Sequence, residues 1–200
     1  MTARPLRRAV TEAGRLDQAL YRAVARTRTP ALDAVLVRLS RAADYSRISI
    51  GAAAVLALAG GPGGRRAAVR GMASVGVTAA IVNIAFKPLA RRRRPERGQS
   101  LISARRRIAM PVSRSFPSGH TAAAFAFAAG AGRELPLMAP PLYALAALVG
   151  YSRVHTGVHY PLDVIVGALC GIGFAELTGV YIDRLERRPD EVATAGTRDP

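Results

Sequence analysis

Apolar positions in the first fifth of the chain recur at helical spacing: Leu16, Leu20 and Val24, then Leu32, Val35, Leu36 and Leu39, with a break at Thr29-Pro30. Charges at Arg15, Asp17, Arg22, Arg26, Arg28, Asp33, Arg38 and Arg41 run alongside. The pattern predicts one or two amphipathic helices over residues 16–42, lying at a membrane interface or packed beside a bundle, with a tilted first span as the alternative. Beyond them come runs without charge: Ile48 to Gly64, Gly71 to Phe86, residues 121–132, residues 135–152 (broken by Pro136 and Pro140-Pro141), and residues 164–182, interrupted only by Glu176. In the first of these, Gly60-Gly61-Pro62-Gly63-Gly64 reads as a turn, so the helix is expected to end near Gly60.

None of these runs reaches the roughly 20 apolar residues of a simple membrane span. Five apolar helical segments in 200 residues nevertheless leave a soluble bundle too little polar surface. The flanking arginines can snorkel and lengthen each span. The expected architecture is all-α, a multi-pass helical bundle of about five to six helices in the cell membrane. Its parts would be an N-terminal amphipathic region (1–44), a membrane-embedded domain (45–183) and a disordered polar tail (184–200) carrying Pro189 and Pro200. The N-terminus lacks the compact apolar core of a secretory signal peptide, so insertion is expected to use the internal segments.

Composition supports close helix contact. Half the chain is hydrophobic but only 6% is aromatic, with no Trp. Ala and Gly supply much of the rest, and small residues let helices approach closely in a bilayer. A formal net charge of +16 implies an anionic partner: nucleic acid, an anionic membrane surface or a phosphorylated substrate. The single cysteine, Cys170, excludes an intrachain disulfide and a cysteine metal site, and reads as a small buried residue on a helix.

Three polar blocks interrupt the apolar pattern. The first, Lys87-Pro88-Leu89-Ala90-Arg91-Arg92-Arg93-Arg94-Pro95, offers Lys87 as a point charge and Arg94 as a fork suited to phosphate oxygens. Arg91, Arg92 and Arg93 read as a basic juxtamembrane run. The second, Pro117-Ser118-Gly119-His120, stands where a loop becomes a helix, and the free N–H groups of a helix start form an anion site. Gly119 lets an oxyanion near the backbone. Ser118 either caps the helix or donates its hydroxyl to phosphate, and His120 can donate a proton. The third runs from Ser152-Arg153 through His155 and His159 to Asp163. His159 and Asp163 are four apart, within reach on a shared turn. A carboxylate on one ring nitrogen fixes the tautomer and frees the other as nucleophile or base. His155 and His159 also have metal-ligand spacing, but a usual third ligand is missing nearby, so no metal is expected. If successive helices run antiparallel, Lys87, His120, Arg153 and Asp163 meet on one membrane face.

These blocks resemble the three-part pattern of the type-2 phosphatidic acid phosphatase family: Lys-x6-Arg-Pro, Pro-Ser-Gly-His and Ser-Arg-x5-His-x3-Asp. All eleven fixed identities are present in order. The resemblance extends over residues 45–182 with the helical framework and leaves the region before residue 42 uncovered. It implies a helical core shared with vanadium haloperoxidases and a cofactor-free lipid phosphatase. His159 would then attack phosphorus and form a phosphohistidine, with Asp163 orienting it. His120 would protonate the leaving oxygen and later help activate water. Lys87, Arg94, Ser118, Gly119 and Arg153 would bind the phosphoryl oxygens.

The resemblance also implies a bilayer-borne lipid phosphate as substrate: phosphatidic acid, phosphatidylglycerol phosphate, or a polyprenyl phosphate or diphosphate, with polyprenyl carriers the first choice. Two other classes compete. A vanadate-dependent haloperoxidase shares the site but is soluble and much larger. A non-catalytic membrane-surface or nucleic-acid-binding protein is motivated by Arg91 to Arg94 and Arg105 to Arg107, but few aromatic residues flank them to stack on bases, so no nucleic acid is expected. The positive-inside rule puts the site face in the cytoplasm, but substrate-binding cations enter the same count, so sidedness stays open, as does oligomeric state.

Overall fold

A computed structural model describes residues 3–90, 92–97 and 102–195, with side-chain placement for fewer at the two termini. Among the described residues there are seven long helices: α1 (Ala3–Arg26), α2 (Pro30–Ala42), α3 (Arg47–Ala59), α4 (Gly61–Ile81), α5 (Gly119–Glu134), α6 (Ala139–His155) and α7 (Pro161–Ala195). That is one or two more than the pattern predicts. α4 continues through a π-helical turn, Val82–Phe86, and a last turn, Lys87–Leu89. The whole rod Gly61–Leu89 and the stretch Pro161–Arg187 are each long and apolar enough to cross a membrane, and the bent pair α2–α3 makes a third if it forms one span.

Helices exceed the charge-free runs because they carry charges at their ends. α4 begins ten residues before Gly71 and takes in Arg65, Arg66 and Arg70. Arg70 pairs with Glu134 at 2.9 Å, Glu186 at 2.7 Å and Asp183. Arg133 pairs with Glu176 at 2.5 Å and Asp183 at 2.9 Å. The glycine-rich stretch expected to be a turn is mostly helix. Gly61, at φ 59°, carries the reversal, and Pro62-Gly63-Gly64 lie in the first turn of α4. Glycine serves there because a Cβ on Gly60 or Gly64 would strike the Leu56 carbonyl. The tight α3–α4 hairpin therefore outweighs the low helix propensity of glycine.

α4, α5 and α7 form the centre. Ala67, Ala68 and Val75 of α4 pack with Ala123, Phe127 and Ala131 of α5. A Cβ at Gly130 would meet the Arg70 carbonyl, and one at Gly167 or Gly171 would meet the carbonyl of Ser118 or Ala122. Small residues thus bring α5 within backbone contact of both neighbours. Ile165, Leu169 and Leu177 of α7 and Val69 and Ile84 of α4 point outward as exposed apolar side chains, as lipid-facing positions do.

The N-terminal stripe turns out differently. α1 buries Asp17, Tyr21 and Ala25, while Leu16 and Leu20 are exposed. α2 likewise buries Asp33, Leu36, Val37 and Ser40. Asp17, Asp33 and Ser40 on these faces have partners elsewhere in the fold, which holds them inside. Backbone in the expected polar tail is helical to Ala195, and residues 196–200 of that tail lie outside the described residues.

Candidate active site

The three polar blocks converge where α4 ends, α5 begins, α6 ends and α7 begins. The π-helical turn before Lys87 widens α4 locally, as π-turns do, and Lys87 Nζ donates to Asn83 Oδ1 at 2.7 Å. The same ammonium stands over the start of α5, where a Cβ on Gly119 would lie 3.5 Å from Nζ. The first intrahelical bond of α5 runs from Ala122 N to Ser118 O at 2.9 Å. The N–H groups of Gly119, His120 and Thr121 precede it and mark a helix N-terminus, favourable to an anion. Ser118 occupies the N-cap position without a capping bond. Its hydroxyl instead pairs with Thr121 Oγ1 at 2.9 Å.

His159 lies in the short loop before α7, 2% exposed. Arg94 Nη1 comes within 3.2 Å of its Nε2. A guanidinium can only donate, so Nε2 is the unprotonated nitrogen and Nδ1 carries the hydrogen. Nδ1 faces Asp163 Oδ2 at 3.5 Å, ion-pair range but short of hydrogen-bond geometry. Burial pushes the imidazole down to about 4, Asp163 opposing and Arg94 reinforcing the shift. Arg94 itself is anchored by the carbonyls of Val158 at 2.8 Å and Ser113 at 2.9 Å.

Asp163 is fully buried and heavily bonded. Tyr160 N donates to Oδ2 at 2.9 Å, Ser115 Oγ donates to the same oxygen, and Arg92 Nη1 donates to Oδ1 at 2.9 Å. Arg92 also pairs with Asp17 of α1, and its guanidinium covers the Tyr160 ring at 4.4 Å. The expectation that Arg92 is only part of a basic juxtamembrane run is therefore corrected: it ties the site carboxylate to the N-terminal helix. Arg91 lies outside the described residues.

His120 and Arg153 complete the cluster. His120 is within electrostatic reach of Arg153, His159, Lys87 and Arg94. Its Nε2 lies 2.9 Å from Asp44 Oδ1, and Arg153 Nη1 lies 3.4 Å from the same oxygen. Arg153 is fully buried. Its Nη1 donates to Ser40 O at 2.7 Å and to Ser40 Oγ at 3.0 Å, while Nε has no partner among the described residues. All eight residues singled out from the sequence thus meet: Lys87, Arg94, Ser118, Gly119, His120, Arg153, His159 and Asp163. A cavity of about 290 Å³ lined by Tyr21, Arg22, Arg93, Arg94 and Tyr160 opens beside them.

His155 and His159 part company. His155 Nε2 faces Asp33 Oδ1 at 3.1 Å, and Arg106 Nε donates to that oxygen at 2.8 Å. Arg106, 3% exposed, also donates to Thr27 O at 2.5 Å and Thr29 Oγ1 at 3.0 Å. This member of the basic run Arg105 to Arg107 is an internal strut between α1 and α2. Sequence reasoning missed Asp17, Asp33, Asp44, Arg92 and Ser115. Among these only Arg92 carried a signal, its place beside Arg94.

Residues 68–187 match the PAP2 superfamily. The chain belongs to that family. It is 40% identical over 70 residues to lipid A 1-phosphatase of Rhizobium johnstonii, covering 35% of this chain and 29% of the relative. It is 36% identical over 94 residues to decaprenylphosphoryl-5-phosphoribose phosphatase of Mycobacterium tuberculosis, covering 45% and 48%. The chain therefore spans half or less of the length of these curated relatives. Among solved structures, LpxE of Aquifex aeolicus superposes with a TM-score of 0.65 at 27% identity, over 82% of this chain and 94% of that one.

Proposed function

We propose that this PAP2-superfamily chain is a multi-pass enzyme of the cell membrane that removes a phosphate from a lipid through a histidine nucleophile. One observation carries the reading: the buried His159 presents an unprotonated Nε2 beside the Arg94 guanidinium, with Asp163 behind its other nitrogen. His159 Nε2 forms the bond to phosphorus as the bond to the leaving oxygen breaks, and that oxygen takes a proton from His120. Water then attacks phosphorus and gives a proton to His120 while the P–N bond breaks, its electron pair returning to His159 Nε2, and inorganic phosphate leaves. Lys87, Arg94, Arg153, the Ser118 hydroxyl and the backbone at Gly119 hold the phosphoryl oxygens. Stabilising charge in this way, with little covalent work by the protein, is what phosphoryl transfer requires.

Relatives named for lipid A and for a decaprenyl-linked phosphoribose support a phosphate on a large lipid as the substrate class. Purified protein given phosphatidic acid, phosphatidylglycerol phosphate and polyprenyl phosphates should release inorganic phosphate from at least one of them. His159→Ala should lower that release about a thousandfold or more while the protein keeps its thermal midpoint. A folded His159→Ala variant with wild-type turnover would end the nucleophile assignment.

A further inference from the structure

Asp44 lies outside the region that matches the family and outside all three sequence blocks. It sits at the break between α2 and α3, which bend by 73° there. The next two residues, Tyr45 and Ser46, both adopt left-handed backbone, φ 57° and 56°. Side-chain-bearing residues adopt that conformation at a cost and cluster in it at functional sites. The elbow turns the Asp44 carboxylate toward the site, where Oδ1 lies 2.9 Å from His120 Nε2, an ion-pair distance without hydrogen-bond angles, and accepts from Arg153 Nη1 at 3.4 Å. Arg153 is fixed in turn by Ser40 on α2, so the elbow is held from both sides.

Charges around His120 make this contact matter. Arg153 at the end of α6, Lys87 at the end of α4, Arg94 in the long loop and His159 before α7 all face it. Burial is the largest influence on His120 and these neighbours reinforce it, pushing the imidazole down to about 3, so the donor proton is held against both. Asp44 is the carboxylate paired with it.

We propose that Asp44 is the positioning residue of the proton donor, holding His120 through Nε2–H so that Nδ1 delivers the proton to the leaving oxygen. The proposal rests on the phosphatase reading and assigns one atom within it. As His159 Nε2 bonds to phosphorus, the P–O bond breaks and its electron pair goes to the leaving oxygen. That oxygen takes the Nδ1 proton, and a neutral imidazole stays on Asp44 through Nε2–H. The two histidines then work as mirror images: His159 is held at Nδ1 and reacts at Nε2, and His120 is held at Nε2 and reacts at Nδ1.

The test uses the full chain in detergent micelles, with decyl phosphate, whose alkoxide leaves poorly, and p-nitrophenyl phosphate, whose leaving group needs no proton. Asp44→Asn should lower kcat on decyl phosphate about 10- to 100-fold while changing kcat on p-nitrophenyl phosphate by less than about threefold. In a His120→Ala background, Asp44→Asn should cost nothing more. Equal losses on both substrates, a rise in KM alone, or no loss on either would overturn the proposal. The first two would place Asp44 behind Arg153 or in the scaffold. If Asp44→Asn does not fold, Asp44→Glu, which moves the carboxylate by one methylene, should show the same leaving-group bias, and its absence would overturn the proposal equally. Wild-type protein that releases phosphate from neither these substrates nor the lipid panel would instead sink the phosphatase reading.

Discussion

The two ends of the central bundle handle internal charge in opposite ways. Near the start of α4, Arg70 meets Glu134, Asp183 and Glu186, and Arg133 meets Glu176 and Asp183. Cations there are matched by carboxylates. About 25 Å along the same helix, at 1.5 Å per residue, stands Lys87. It donates to the neutral amide of Asn83, and Arg94 donates to carbonyls, a hydroxyl and an imidazole. Burial holds the Arg94 guanidinium below its ordinary proton affinity, Asp163 opposing. A matched cluster fastens helices together. At the site end Arg92 and Arg153 have carboxylate partners, but Lys87 and Arg94 have no ion pair among the described residues, and holding their desolvated charge costs stability.

Breaking this contrast should separate activity from stability. The largest effect is expected at Arg94. Arg94→Lys should lower kcat/KM on a lipid phosphate about 100- to 1000-fold, since a point charge cannot replace the fork. Its thermal midpoint should fall by only a few degrees, since the Val158 and Ser113 carbonyls lose a donor but no carboxylate loses an ion-pair partner. A fall in midpoint with activity kept would move Arg94 to the structural class.

Next comes the link from α1. Asp17→Asn removes the charge that shares Arg92 with Asp163, and Asp17 Oδ1 also accepts from Leu162 N at 2.7 Å. Losing one charge-assisted bond behind an orienting carboxylate should lower kcat about tenfold with KM unchanged. Unaltered kcat would show that α1 is a bystander.

At the far end the prediction reverses. Arg70→Met should lower the thermal midpoint on the order of 5 °C and leave kcat within about twofold. A large kcat loss at full stability would mean that the two ends are coupled.

The last effect is one of pH. In the proposed reaction His159 must be neutral to attack, and burial pushes it down to about 4, below the roughly 6.5 of an unfolded chain. The stability linked to neutral His159 is complete above pH 6.5 and is lost as pH falls through 4. The acid limb of kcat/KM should accordingly lie near pH 4. A limb near 6.5 would mean that the ring is solvated.

Much of the fold was legible because its signals are local. Thr29-Pro30 marked the start of α2, and Pro161 the start of α7. The eight residues of the site stood out through spacing within each block, which a helix turn or a helix start converts directly into geometry. One local reading failed for a tertiary reason. Glycines at 60–64 looked like a turn because isolated propensity says so, yet a close crossing of two helices needs them. The amphipathic pattern of α1 left open which face meets the bundle, and the fold buries Asp17 and Tyr21 while Leu16 and Leu20 stay exposed.

The sequence by itself determined the apolar helical runs and the spacing of two imidazoles and several cations at their ends. Tertiary structure alone decided which carboxylate serves which partner. Asp44 reaches His120, Asp17 reaches Arg92, and Asp33 reaches His155. Those contacts join residues some 75 to 120 positions apart, where no period or motif links the two members. Their pairing is set by how α1 and α2 dock on the bundle, since an acidic side chain is kept inside only where the fold brings it a partner.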